Sequence, residues 1–267
     1  MVKRRRIILT AIVIAALGPL PGVAPVSAQT RPGQSDLAAV LKKAAEYCRR
    51  LDKAALDFTC LEEVKETTHF YTPSTDIYLY DYQFVRKGEG IKEQRNLVSV
   101  NGKKSDRRDT RLYTASFQYK NVLFGPIGLL SEFWQVYHDY KVVGHEMIRN
   151  TATLVVEVTP KPEIPVTHPY GRVWIKPGDG SVFKIAWDQR SLGNYKLAEE
   201  WGTANDAVPQ ITAYTEYGFE KNGLRFPSLN YTQEAYIRKN GRKYESAEIS
   251  TAYRGYKFFT VETAVTF

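Results

Sequence analysis

The stretch DIYLYDYQFVRK, residues 76 to 87, decides how the rest of the chain is read. Its large rings occupy every second position, Tyr78, Tyr80, Tyr82 and Phe84, so in a β-strand all four point to one face. Four rings in a row need cover, from the protein's own core or from an apolar guest. Three of them are tyrosines, whose hydroxyls need hydrogen-bond partners when buried. Such a wall is apolar in body and wet at its tip, which suits a binding surface better than a dry core.

The strand grammar extends outward from there. FTCLEEVKETTHFY (58–71), IKEQRNLVSV (91–100), YKVVGHEMI (140–148), TLVVEVTP (153–160) and the segments beyond read as strands, about ten in all. Asn101-Gly102, Asn222-Gly223, Asn240-Gly241 and the PGDG of Pro177 to Gly180 sit between such runs, and turns of this kind join antiparallel neighbours. A single antiparallel sheet of that size must curl, split or close. No linker or repeat divides residues 36–267, so one domain is expected.

Before the strands, Leu37, Val40, Leu41, Ala44, Cys48 and Leu51 recur at helical spacing, predicting an N-terminal helix from about Ser35 or Asp36. Residues 29–35 are polar and expected to be flexible. The chain opens with Lys3 and Arg4 to Arg6, an apolar run from Ile7 to about Leu20, and Val26-Ser27-Ala28, the pattern of a cleavable secretory signal spanning residues 1–28. The leader holds four of the 37 Lys and Arg and none of the 29 acidic residues, so the remainder has 33 against 29, a mild +4. The tight basic clusters, Lys103 to Arg108 and Arg238 to Lys243, fall at hairpin tips, and no nucleic-acid footprint is present. In an exported chain Cys48 and Cys60 are expected to form a disulfide clamping helix to sheet.

One segment departs from the strand pattern. FGPIGLLSEFWQVYHDY (124–140) starts with Gly125-Pro126, favourable helix-start chemistry, and then places Ile127, Leu130, Phe133, Trp134 and Tyr137 at helical spacing. Burying each such side chain is worth about 1.5 to 3 kcal/mol, so the face will not be left in water. The helix at 126–138 is therefore either a permanent cap on the core or a lid on a cavity. The expected binding surface consists of Tyr78, Tyr80, Tyr82 and Phe84 opposite Leu130, Phe133 and Trp134, with Ile175, Phe183 and Ile185 from the hairpin at 171–187.

An export signal, one N-terminal helix, a long antiparallel meander and an inserted helix together resemble the LolA/LolB-like superfamily of periplasmic lipoprotein carriers and receptors. The hairpin GRVWIKPGDGSVFKIAW (171–187) is similar to that group's apolar strand, Asp-Gly turn and second apolar strand, and GLRFPSLNYTQEAYIRKNGRKYESAEI (223–249) resembles later strands of its longer bacterial members. The resemblance implies a mainly β fold: one large, strongly curved antiparallel sheet, an unclosed half-barrel whose concave interior holds acyl chains under a helical lid. Leu192 to Pro209 forms an insertion relative to the compact carriers, and no family functional residue is carried over.

Catalytic chemistry has little support. His69, His138, His145 and His168 are scattered, with no HExxH, G-x-S-x-G, phosphate-cradling glycine loop or metal-ligand cluster, and no cofactor or metal is implied. The function expected is a non-enzymatic, monomeric periplasmic carrier of lipid or lipidated protein, loosely associated with the outer membrane at most and served by a membrane partner. A peptide-binding sensor of the same fold is the alternative. An outer-membrane β-barrel is a third reading, supported by Phe259, Val261, Val265 and Phe267 on one face of the last strand. Against it, Glu62 and Glu66 on one face of the first strand, and Glu63 and Lys65 on the other, break any lipid-facing surface.

Overall fold

The apolar stripe of the N-terminal segment becomes the buried side of α1 (Gln34–Ala54), with Val40, Ala44, Tyr47, Cys48 and Leu51 inside the main core. The computed structural model describes residues 34–54, 58–69, 72–87, 90–105, 122–162 and 168–259. The expected signal segment, and Val261, Val265 and Phe267 of the last strand, lie outside the described residues.

Four strands follow α1: β1 (Phe58–Thr68), β2 (Ser74–Lys87), β3 (Gly90–Val100) and the short β4 (Lys103–Lys104). A 3-10 turn (Val122–Phe124) leads into α2 (Gly125–Leu130) and α3 (Glu132–Gln135). Next come β5 (His138–Ile148), β6 (Thr151–Pro160), β7 (Gly171–Ile175) and β8 (Val182–Trp187). After α4 (Tyr195–Ala204), which occupies the insertion, the chain continues as β9 (Ala207–Glu216), β10 (Phe219–Lys221), β11 (Leu224–Phe226), β12 (Leu229–Arg238) and β13 (Lys243–Phe258). Asn101-Gly102 and Asn222-Gly223 both adopt positive φ at each of their residues, the geometry of the tight hairpin turn their sequence predicts. Arg149 and Asn150 do the same between β5 and β6 without any glycine.

Eleven strands form one antiparallel sheet in the order β4-β3-β2-β1-β13-β12-β9-β8-β7-β6-β5, and β10 pairs with β11 separately. The first and last strands meet in the middle of the sheet, while β4 and β5 are its edges. The sheet is neither closed nor strongly curled, which corrects the half-barrel expectation. Its size called for curling because a broad apolar face must be buried. Helices do that work instead: α1 and α2 contribute Leu51, Leu129 and Leu130, all fully buried, to one core with Phe58, Tyr82, Phe84, Val173 and Ile185 of the sheet. A closed barrel would need β4 and β5 to pair, and they do not.

The disulfide is also corrected. Cys48 and Cys60 are both buried and both free. The stripe of α1 turns Cys48 toward α2, where its thiol donates to the Pro126 carbonyl at 3.3 Å. Cys60 instead lies beside Tyr256, whose hydroxyl donates to the Pro227 carbonyl at 2.7 Å. Burial pushes both thiols up, Cys60 to about 12, so neither is a ready nucleophile.

Candidate functional site

The ring wall exists as a geometric unit, but it belongs to two environments. Strand alternation puts Tyr78, Tyr80, Tyr82 and Phe84 on the same face of β2, all buried. Tyr82 and Phe84 join the main core beneath the helices, with their rings edge to face at 5.6 Å. Tyr78 and Tyr80 join a smaller cluster with Val64, Leu97 and Ile249, whose described members all come from strands.

What separates the two is charge. Glu62 occupies a position in the register Phe58, Cys60, Glu62, Val64 that is otherwise apolar, and its side chain is 0% exposed. Arg95 on β3 reaches it through Nε at 2.6 Å and a second guanidinium nitrogen at 3.1 Å, and binds Glu93 at 2.6 Å. The Tyr253 hydroxyl donates to Glu62 at 3.0 Å and the Tyr82 hydroxyl to Glu93 at 2.8 Å, with the guanidinium 4.9 Å from the Tyr82 ring centre. Burial raises the Glu62 carboxyl above its ordinary range, and Arg95 and Tyr253 oppose that rise. Burial also works against the charge of Arg95, but the two carboxylates prevail and hold the guanidinium firmly protonated.

The polar band continues across the sheet. The indole of Trp187 donates to Thr215 at 3.1 Å, whose hydroxyl donates to Asn230 at 2.9 Å. Asn230 lies opposite Thr251 in the ladder, and among the described residues the Thr251 hydroxyl is the one buried side-chain polar atom without a hydrogen-bond partner. Sequence reasoning missed this band. The signal was there in a carboxylate at an apolar register position, yet nothing local identifies Arg95, 33 residues away, as its partner.

The cap segment runs between the two edge strands, so the chain from β4 to β5 links opposite sides of the sheet. Its first part is seated on the wall: Phe124 meets Phe84 edge to face at 4.8 Å. Gly125 follows, and a side chain there would run into the Tyr217 hydroxyl and come within 3.2 Å of the Trp187 ring. Leu129 and Leu130 are fully buried, and Tyr140 donates to the Leu129 carbonyl at 2.5 Å. Ser131 then takes an extended backbone (φ −65°, ψ 153°) and breaks the helix, so the single helix expected over 126–138 is two short ones. Gln135 fastens the second to its neighbours by donating to the Leu41 and Leu130 carbonyls at 2.8 and 2.7 Å. Phe133, however, is 63% exposed, against the ring of Trp134 at 5.0 Å and that of Tyr137 at 5.3 Å.

The remaining expected residues divide as well. Ile175 and Ile185 are fully buried in the main core with Leu130, while Phe183 joins Val155 and Trp174 in a small cluster on the sheet's other face. Two of the scattered histidines come together: His138 and His168 face each other beside Trp134. Burial lowers the pKa of both, that of His168 to about 4 with the neighbouring His138 adding to the effect.

No family model matches the chain, and no curated protein matches it. Solved structures with a similar course of chain do exist. A putative outer membrane lipoprotein-sorting protein domain from Vibrio parahaemolyticus is 11% identical, with a TM-score of 0.43, covering 84% of this chain and 94% of that one. A DUF1329 family protein from Desulfovibrio piger is 10% identical, with a TM-score of 0.40 over 85% and 95% of the two chains. A LolA superfamily protein from Nitrosomonas europaea is 11% identical, with a TM-score of 0.34 over 84% and 94%. Likenesses this distant assign no role to any residue of this chain. Among the described residues no helix is long and apolar enough to cross a membrane.

Proposed function

We propose that the protein is a non-enzymatic periplasmic carrier that holds the acyl chains of a lipid or lipidated protein against the helix-covered face of its sheet, with residues 124–137 as the cover. The contact of Phe124 with Phe84 carries this reading. It means that the cap and the ring wall share one surface, so a guest lying over Tyr82 and Phe84 has to displace the cap. Ile175, Ile185 and Leu130 extend the same apolar surface. The exposed Phe133 marks the end of the cap at which displacement starts. In this reading the chain works as an exported monomer, at most loosely associated with the outer membrane, and passes its guest to a membrane-bound partner protein.

Native mass spectrometry of protein purified from a Gram-negative periplasm tests it, together with titration by a fluorescent fatty acid. The expected result is a co-purified lipid that is released on denaturation and displaced by the fatty acid. Bare protein that binds no fatty acid at any concentration below micelle formation would make residues 124–137 a permanent part of the core and end the carrier reading.

A further inference from the structure

Residues 46–53 read EYCRRLDK, and within α1 this stretch divides by face. Tyr47, Cys48 and Leu51 are buried in the main core, whereas Glu46, Arg49, Arg50 and Lys53, at i, i+3, i+4 and i+7, are exposed on one outward stripe. Among the described residues these four line an open hollow of about 300 Å³. Glu46 is spaced to pair with either arginine, yet among the described residues none of the three cations is in an ion pair. The negative end of the helix accounts for Lys53 in the last turn, but its pull fades before Arg49 and Arg50. Arg50 is also held in place. Its guanidinium is 5.9 Å from the centre of the Tyr47 ring, and the hydroxyl of that buried ring accepts from the Arg225 amide at 3.0 Å. On another side stands the β10–β11 turn, where a Cβ at Gly223 would be 3.7 Å from Arg50 Nη1.

We infer that Arg49, Arg50 and Lys53 form a binding site for a phosphate group, free or carried as a lipid headgroup. Three cations against the one carboxylate of Glu46 leave the hollow with a net charge of +2, which answers the charge of about −1.5 to −2 on a phosphate monoester. A carboxylate ligand, with two oxygens and one charge, would occupy a single guanidinium. A phosphate has three free acceptor oxygens, enough to take bonds from both arginines and the lysine at once. The guanidinium's planar fork suits such oxygens and stays charged at any working pH, while Lys53 adds a point charge. Seating Arg50 against Tyr47 beforehand reduces the side-chain freedom lost when a ligand is bound. The site is on the outer side of α1, so it does not depend on the carrier reading.

Tag-free protein in phosphate-free buffer of low ionic strength is titrated with inorganic phosphate by calorimetry, and is separately sedimented with phosphatidylcholine vesicles with and without phosphatidylglycerol. One saturable phosphate site is expected. Arg50→Gln should weaken it about 10- to 100-fold, and Glu46→Gln, which removes the opposing charge, should tighten it. Arg242→Gln deletes the same charge at an exposed position on the β12–β13 hairpin and should leave binding unchanged. All three positions are exposed, and circular dichroism checks that the variants are folded. Sedimentation with the phosphatidylglycerol vesicles alone, lost in Arg50→Gln and without saturable binding of inorganic phosphate, supports the site and makes its ligand a lipid headgroup. Absence of both kinds of binding, or equal weakening by Arg50→Gln and Arg242→Gln, overturns it. The stripe would then be an ordinary solvated helix face.

Discussion

α2 and α3 are consecutive turns of one apolar segment, yet they behave as opposites. α2 buries Gly125, Pro126, Leu129 and Leu130, whereas α3 buries none of its four residues and leaves Phe133 63% exposed. Composition does not account for this, since Phe133 and Trp134 are at least as apolar as the leucines. The difference is positional. α2 faces a sheet region lined by Phe84, Ile185 and Trp187, while the break at Ser131 turns the chain away before the heavier rings arrive. Hydrophobicity sets what burial would be worth, but backbone direction sets which side chains obtain it.

The same contrast exists within the sheet, between the core under α2 and the strand-only cluster of Tyr78 and Tyr80, and Arg95 stands at the boundary. The largest expected effect comes from removing it. Arg95→Ala leaves Glu62 buried without its cation, and breaking a buried pair in this way costs about 3 to 5 kcal/mol, to be measured by urea unfolding. The sign of the pH dependence follows from the raised pKa of Glu62, whose ordinary value is 4.5. A raised folded-state pKa contributes stability that is fully present below the unfolded value and is lost as pH rises through the folded one. The Arg95→Ala variant should therefore regain stability between pH 8 and pH 5 relative to wild type. A loss that does not vary over this range would show that the boundary is held by packing rather than by charge.

Next in size is the anchored half of the cap. Leu130→Ala removes a fully buried side chain and should cost about 2 to 5 kcal/mol. A cost under about 1 kcal/mol would mean that α2 is seated as loosely as α3 and would erase the contrast between them. Gly125→Val belongs to the same end of the scale, because its side chain has no room beside Tyr217 and Trp187.

Much of this was legible in the sequence where local rules govern. The stripe of α1, the alternation in β2 and the Asn-Gly turns each follow from spacing or backbone preference over a few residues, and each is present. The break at Ser131 was not legible, because helical spacing continues through it and only the approach to the sheet separates Leu130 from Phe133. The Glu62–Arg95 pair and the meeting of His138 with His168 depend on strand order, which no local pattern records. Curvature was misjudged for a related reason: strand number set the expectation, and strand number does not record which edge strands meet. The disulfide failed on direction, since compartment and loop length allow a bridge but do not aim Cys48 at Cys60 rather than at Pro126.

The smallest expected effect on stability is the most informative about function. Phe133→Ala removes a ring that is mostly in water and touches only Trp134 and Tyr137 among the described ring contacts. Surface substitutions of this kind stay within about 0.5 kcal/mol, so the urea midpoint should barely move. Binding should respond differently. An exposed aromatic at the free end of a cover is the first group an apolar guest meets, and losing it removes area from that encounter while leaving the seat of Leu129 and Leu130 intact. The fluorescent fatty acid should therefore bind the variant more slowly, with the change in its association rate and stopped-flow fluorescence as the readout. Leu130→Ala should instead speed association by loosening the seat. If both variants associate at the wild-type rate, the guest does not enter by way of the cap, and the two halves of the segment differ only in how they are packed.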